Sequence, residues 1–180
     1  MQVPLVMTVI GRDRPGLVEC IASIIADHGG NWLESRMCRL GGEFAGILRI
    51  HVPAEKQNAL EQALKDLQSR GLAVVGQPDQ PPPATGCRKL TTLEIVGHDR
   101  PGIVRQIAHA LASQGVNVEE LTTECVSAPM SGEMLFKAQA KLLIPDSCNR
   151  EALRAELEEI AADLMVDVSF GQSEQQRQAG

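Results

Sequence analysis

Apolar and polar positions along this 180-residue chain change period several times. A short apolar run over residues 5–10 ends at Gly11 and predicts a strand with at least one buried face. Leu17, Ile21, Ile24, Ile25 and His28 then recur at helical spacing, with Pro15 in the opening turn and Gly29 just past the end. Residues 31–40 and 44–52 straddle Gly41-Gly42, a hairpin signal, and Phe44, Gly46, Leu48, Ile50 and Val52 alternate with Ala45, Ile47, Arg49 and His51. Leu60, Ala63, Leu64 and Leu67 stripe a second helix that stops near Gly71, and residues 72–75 supply a last strand.

The same order returns further on. It reads as a strand over 90–96, a helix through Ile103, Ile107 and Leu111, strands over 117–126 and 134–144, a helix through Leu153, Leu157 and Ile160, and a strand over 164–170. In the third of these strands Phe136, Ala138, Ala140, Leu142 and Ile144 are expected to face a core, with Lys137, Gln139 and Lys141 facing water. The expected fold class is therefore α+β, with two ferredoxin-like βαββαβ domains in tandem. Each would be an antiparallel four-stranded sheet with one polar face and one face covered by two helices.

The repetition is a duplication. Gly11-Arg12-Asp13-Arg14-Pro15-Gly16 recurs as Gly97-His98-Asp99-Arg100-Pro101-Gly102, and the offset of 86 holds through Asn31 and Asn117 to Glu34 and Glu120. Over this stretch 12 of 24 positions are identical, where unrelated sequence would give roughly one or two, so each copy is one folding unit. Between the copies, residues 77–86 include Pro78, Pro81, Pro82 and Pro83, a composition that favours a semi-rigid extended spacer. The expected domains are residues 1–76 and 89–170, joined by a linker over 77–88 and followed by a disordered polar tail over 171–180. The connection over 127–132 is longer than its counterpart in the first copy.

Composition narrows the function classes. The 43% hydrophobic and 22% charged residues suit a globular chain with a core, with no apolar run of membrane-spanning length. The N-terminus lacks the pattern of a signal peptide, so a cytoplasmic location is expected. Five scattered cysteines without a C-x-x-C pair argue against a disulfide framework and against a zinc site. A net charge of -6, no basic cluster and 2% aromatic residues disfavour direct nucleic-acid binding.

The turn between first strand and first helix is the chief candidate for chemistry, since a helix start offers unpaired amides and a positive dipole end to an anion. Gly11 and Gly97 would make the tight turn, Asp13 and Asp99 would accept amide hydrogen bonds near the cap, and Pro15 and Pro101 would preset the first helical turn. Two readings stay open at this point: a well-capped strand-to-helix turn, or a carboxylate site. Asn31 and Asn117 either meet a ligand or accommodate the turn after the helix; Arg14 and Arg100 either clamp a carboxylate or are solvated, and Glu34 and Glu120 share that ambiguity. Candidate nucleophiles and bases do not recur. Cys20 aligns with Gln106, Cys38 with Glu124 and His28 with Gln114, so no catalytic residue is expected.

A G-x-D-R-P-G turn followed by G-x-N after the first helix, on a βαββαβ frame, resembles the ACT domain over about residues 3–170. The pairing of two such domains around a proline-rich spacer is similar to the glycine cleavage system transcriptional repressor family, as are residues 31–36 leading to Leu40-Gly41-Gly42-Glu43-Phe44. That resemblance implies an accessory repressor that contacts a DNA-bound transcriptional activator protein, with a small amino acid, glycine favoured, as effector and no cofactor. ACT domains pair side by side, which implies a homodimer with sites at the interface. Carried over by position, the ligand-binding residues would be Gly11, Asp13, Arg14, Pro15, Gly16 and Asn31, and again Gly97, Asp99, Arg100, Pro101, Gly102 and Asn117. The alternative the resemblance leaves is an ACT-type regulatory subunit of an amino-acid or one-carbon enzyme.

Overall fold

The computed structural model describes residues 1–80, 88–128 and 132–171. The chain divides into two compact units, Met1–Pro82 and Pro83–Gly180. The first contains β1 (Gln2–Arg12), α1 (Leu17–Asp27), β2 (Asn31–Leu40), β3 (Glu43–Pro53), α2 (Gln57–Asp66) and β4 (Leu72–Pro78), with a 3-10 turn at Leu67–Arg70. The second contains β5 (Arg88–His98), α3 (Ile103–Ser113), β6 (Asn117–Ser127), β7 (Met134–Pro145), α4 (Arg150–Leu164) and β8 (Val166–Phe170). Both sheets have the ferredoxin-like order, β2-β3-β1-β4 and β6-β7-β5-β8, and all their pairings are antiparallel.

Period decides which face is covered. Leu5, Met7 and Val9 on β1 and Leu48, Ile50 and Val52 on β3 turn to one side, where Leu17, Ile21 and Ile25 of α1 and Leu60 and Leu64 of α2 close over them. A separate core in the second unit joins Leu93, Leu142 and Ile144 to Ile103, Ile107 and Leu111 of α3 and Leu153 and Leu157 of α4. Burying each such side chain stabilises by about 1.5–3 kcal/mol, so these two stripes dominate the fold. The hairpin between β2 and β3 turns through Gly41 (φ 60°) and Gly42 (φ 85°), positive values that the twist of a two-residue hairpin favours.

Three sequence expectations shift. Leu164 belongs to α4 and not to the last strand, because it is buried and completes the stripe begun by Leu153 and Leu157. The reversal then falls on Met165, whose φ of 53° occupies the left-handed position that Gly71 holds in the first unit. Secondly, β4 runs past residue 75 to Pro78, pairing Gln77 with Val6 and Pro78 with Leu5, so the start of the expected spacer is sheet. The rest of that spacer over 81–87 and residues 172–180 of the expected tail lie outside the described residues, while Gly171, the first residue of that tail, donates to the Thr92 carbonyl at 2.9 Å. Thirdly, the uncovered face of the first sheet is not polar at its centre: Ile10, Ile47 and Val75 are each more than half exposed there. The second sheet behaves as expected, with Lys141 paired to Glu120 at 2.7 Å and Gln139 donating to Glu94 at 3.0 Å.

Gly11 and Gly97 have a different task from the one expected. Both lie inside strands, Gly11 opposite Phe44 and Leu72, Gly97 opposite Phe136 and Val166, and neither makes the turn. A methyl group on Gly11 would sit 2.4 Å from the Gly71 carbonyl oxygen, and one on Gly97 would sit 2.6 Å from the Val166 Cα. Glycine is needed for that close approach. Gly11→Ala is expected to destabilise the first unit by about 1–3 kcal/mol. Gly76→Ala meets only Met7 Cγ at 3.8 Å, so it should be neutral or stabilise by about 0.4–1 kcal/mol through the unfolded chain. Urea melts read by Trp32, the single tryptophan, which packs on the first core, will check both.

Candidate functional site

The D-R-P-G turn leaves β1 and enters α1 at one end of the first sheet, beside the tip of the β2–β3 hairpin. Asp13 N–H donates to the Gly42 carbonyl at 2.9 Å, and Asp99 N–H likewise donates to the Met134 carbonyl at 3.1 Å. Gly16 is the residue that turns the chain: it caps α1 at φ 90°, as Gly102 caps α3 at φ 100°. Pro15 and Pro101 therefore precede the cap and do not sit in the first helical turn.

Neither aspartate caps its helix, since no side-chain hydrogen bond closes the start of α1 or α3. The Asp13 carboxylate is drawn instead to Arg39 on β2, at 2.9 Å. The first intrahelical bonds run from Cys20 N–H to the Gly16 carbonyl and from Gln106 N–H to the Gly102 carbonyl. By helix geometry the amides of Leu17, Val18 and Glu19, and of Ile103, Val104 and Arg105, precede those bonds and point out of the helix end. In the first unit they border a shallow depression of about 470 Å³ lined by Asp13, Arg14, Gly16, Leu17, Val18, Glu19 and Phe44. Outward amides with a positive dipole end suit a carboxylate.

Arg14 lines the depression, and neither it nor Arg100 stands free. Arg14 Nη2 donates to the Arg70 carbonyl at 3.0 Å, and Arg100 Nη2 reaches Met165 Sδ at 3.7 Å, so both tie the turn to the segment just before the last strand. Asn31 and Asn117 lie elsewhere. Asn31 opposes His51, which opposes Pro4, seven residues along β1 from Gly11, a separation of roughly 23 Å at strand spacing. Asn117 sits at the same remove and donates to Glu119 at 2.5 Å. Within one unit the structure thus brings Asp13, Arg14, Pro15 and Gly16 together and leaves Asn31 at the far end of the sheet.

Two residues missed in the sequence matter here, and the fixed offset could have found them. Glu19, in the first turn of α1 and on the wall of the depression, aligns with Arg105; Arg39, which neutralises Asp13, aligns with Cys125. Cys125 has its pKa raised, by desolvation first and then by the Asp99 carboxylate and its hydrogen bond. His98, in the place of Arg12, is exposed and lies 3.8 Å from Glu133. Among the described residues no group of three or more acidic, histidine or cysteine side chains could hold a metal ion.

The fold and this turn define an ACT-domain protein. One ACT-domain profile matches residues 3–75 and a second matches residues 91–136, together more than half of the sequence, and the chain belongs to that family as a tandem pair. It is 26% identical over 125 residues to the glycine cleavage system transcriptional repressors of Escherichia coli (strain K12) and Shigella flexneri, an alignment covering 66% of this chain and 63% of theirs. The chain thus spans under two thirds of the length of these curated relatives. Among solved structures, an unknown protein from Galdieria sulphuraria superposes with a TM-score of 0.81 at 28% identity, over 94% of this chain and 98% of that one. A candidate glycine cleavage system transcriptional repressor superposes with a TM-score of 0.68 at 19% identity, over 97% and 99% of the two chains, and shares the fold. No helix among the described residues is long and apolar enough to cross a membrane.

Two measurements bear on this geometry. Gly16→Ala has open space around the new methyl but must hold a left-handed backbone, at an expected cost of about 1–2 kcal/mol in the same urea melts. The raised pKa of Cys125 means less thiolate at a given pH, so iodoacetamide should label it slowly at pH 8. Asp99→Asn should speed that labelling, as read by mass spectrometry.

Proposed function

We propose that the chain is a cytoplasmic, amino-acid-responsive regulator and not a catalyst, and that it binds a small amino acid, with glycine favoured, at the turn that opens α1. The observation that supports this reading most is the uncapped helix start behind Gly16. Its own aspartate is held by Arg39, which leaves the amides for a ligand carboxylate. Glu19 offers a carboxylate to the ammonium group. The second copy carries Arg105 in that place and an Asp99 without the arginine partner, so the first copy is the better zwitterion site.

Asn31 would reach a turn only from a neighbouring ACT domain, which fits a homodimer with its sites between chains. Likeness to the glycine cleavage repressors supports repression as the output; in our reading it runs through contact with a DNA-bound activator protein, because a net charge of -6 without a basic cluster disfavours direct binding of nucleic acid or membrane. Such coupling requires the ligand to bind with different affinity in the free and partner-bound states.

Calorimetric titration of the full chain across the amino acids should give saturable binding for glycine or a close relative, reduced about tenfold or more by Glu19→Gln, as for loss of one charge-assisted contact. No binding by any amino acid to a folded chain overturns the sensor. Unchanged affinity on adding the activator overturns the coupling. Co-purification of a metabolic enzyme in place of an activator would favour the regulatory-subunit alternative.

A further inference from the structure

A second concavity lies at the other end of the second sheet, away from the D-R-P-G turn. It has a volume of about 310 Å³ and opens between the first turn of α4 and the ends of β5, β7 and β8. Its apolar walls are Ile144, Leu153 and Phe170. Thr91 also lines it, and Thr91 is the one buried polar residue among the described residues, 5% exposed, with no hydrogen-bond partner for its Oγ1. A hydroxyl stripped of water and given nothing in return is destabilising until a partner arrives.

The duplication shows that this end of the unit has diverged. Thr91 opposes Leu142 as Leu5 opposes Ile50, so its counterpart is a leucine that is fully buried in the first core. Phe170 opposes Leu93 as Gly76 opposes Met7, and Arg154 follows Leu153 where Glu61 follows Leu60. Copy two has therefore exchanged a leucine for a hydroxyl, a glycine for an aromatic ring and an acid for a guanidinium, all around one cleft. The Arg154 guanidinium lies 5.7 Å from the centre of the Phe170 ring, a cation–π contact that holds it at the wall.

The geometry points to a second ligand site, distinct from the turns, that takes a small aliphatic monocarboxylate. Arg150 and Arg154 against Glu151 leave one net positive charge on the lining, matching a single carboxylate better than a phosphate dianion. The apolar walls receive the hydrocarbon part, and a carboxylate oxygen gives the Thr91 hydroxyl the acceptor it lacks once that buried side chain turns toward the cleft. A cleft of this size lies at the lower end of the range for small-molecule sites, which limits the ligand to a short chain.

The test uses the full chain with butyrate as probe, butyramide as its neutral analogue and inorganic phosphate as a compact anion, all in saturating glycine. Butyrate should raise the melting temperature saturably and move the methyl resonances of Ile144 and Leu153, while butyramide and phosphate do neither. Arg154→Gln should weaken butyrate about tenfold or more. Thr91→Val, nearly isosteric, should raise the melting temperature of the free protein and remove most of the butyrate response. A Thr91→Val chain that is stabilised yet binds butyrate as before overturns the proposal, as does a native chain whose Ile144 and Leu153 resonances ignore butyrate. Because the resonances read and the residues changed belong to the cleft and not to the turns, neither result bears on the amino-acid sensor.

Discussion

The contact between the end of β1 and the start of β4, with backbone packed against backbone at Gly11 and Gly71, is the constraint from which the rest of the first unit follows. It brings the chain leaving β1 close to the 3-10 turn that follows α2, where Arg14 can bond the Arg70 carbonyl, and it aims the next residues at the hairpin tip, where Asp13 bonds Gly42. The turn is thus held on two sides before the helix begins. Gly16, in a left-handed conformation, then starts α1 with its first amides outward. Gly97 against Val166 sets the same arrangement in the second unit.

Duplication makes the two copies controls for one another. What they share is backbone: two close-approach glycines, two left-handed caps, and bulges at the same place in β2 and β6, between Trp32 and Glu34 and between Val118 and Glu120. What they do not share is charge and surface. Arg39 and Glu19 of the first copy become Cys125 and Arg105, which alters the field at the helix start without moving the chain. The apolar centre of the first open sheet face, Ile10, Ile47 and Val75, has Val96, Gln139 and Ser169 in the corresponding register of the second. A common scaffold with divergent surfaces is what the proposed regulator, with its unequal turns, requires.

Much of the fold was legible because it rests on period. Stripes such as Leu17, Ile21 and Ile25 repeat at helical spacing, Leu48, Ile50 and Val52 alternate, and Gly41-Gly42 names its own turn, all within windows of a few residues. The repeat itself needed only comparison of the chain with its own later half. Where sequence and structure differ, a local pattern has two outcomes: Leu164 fits a helix stripe and a strand equally, and it joins the helix because that places it in the core with Leu153 and Leu157.

The candidate site was legible in part. That the D-R-P-G turn stands before an open helix start followed from sequence, since Pro and Gly restrict the backbone locally. The roles within it did not. Gly11 looks like a turn residue in sequence and is a packing contact with a strand some 60 residues later; Asp13 looks like a cap and is held by Arg39. Asn31, close to the turn in sequence, is carried to the opposite end of the sheet by the full length of α1. The sequence by itself determined the duplication, the element order and the place of the turn, because these depend on neighbours along the chain. Only the tertiary structure decided which side chains meet there, because a carboxylate takes the cation that folding brings within reach, and that distance is not written in any short stretch of residues.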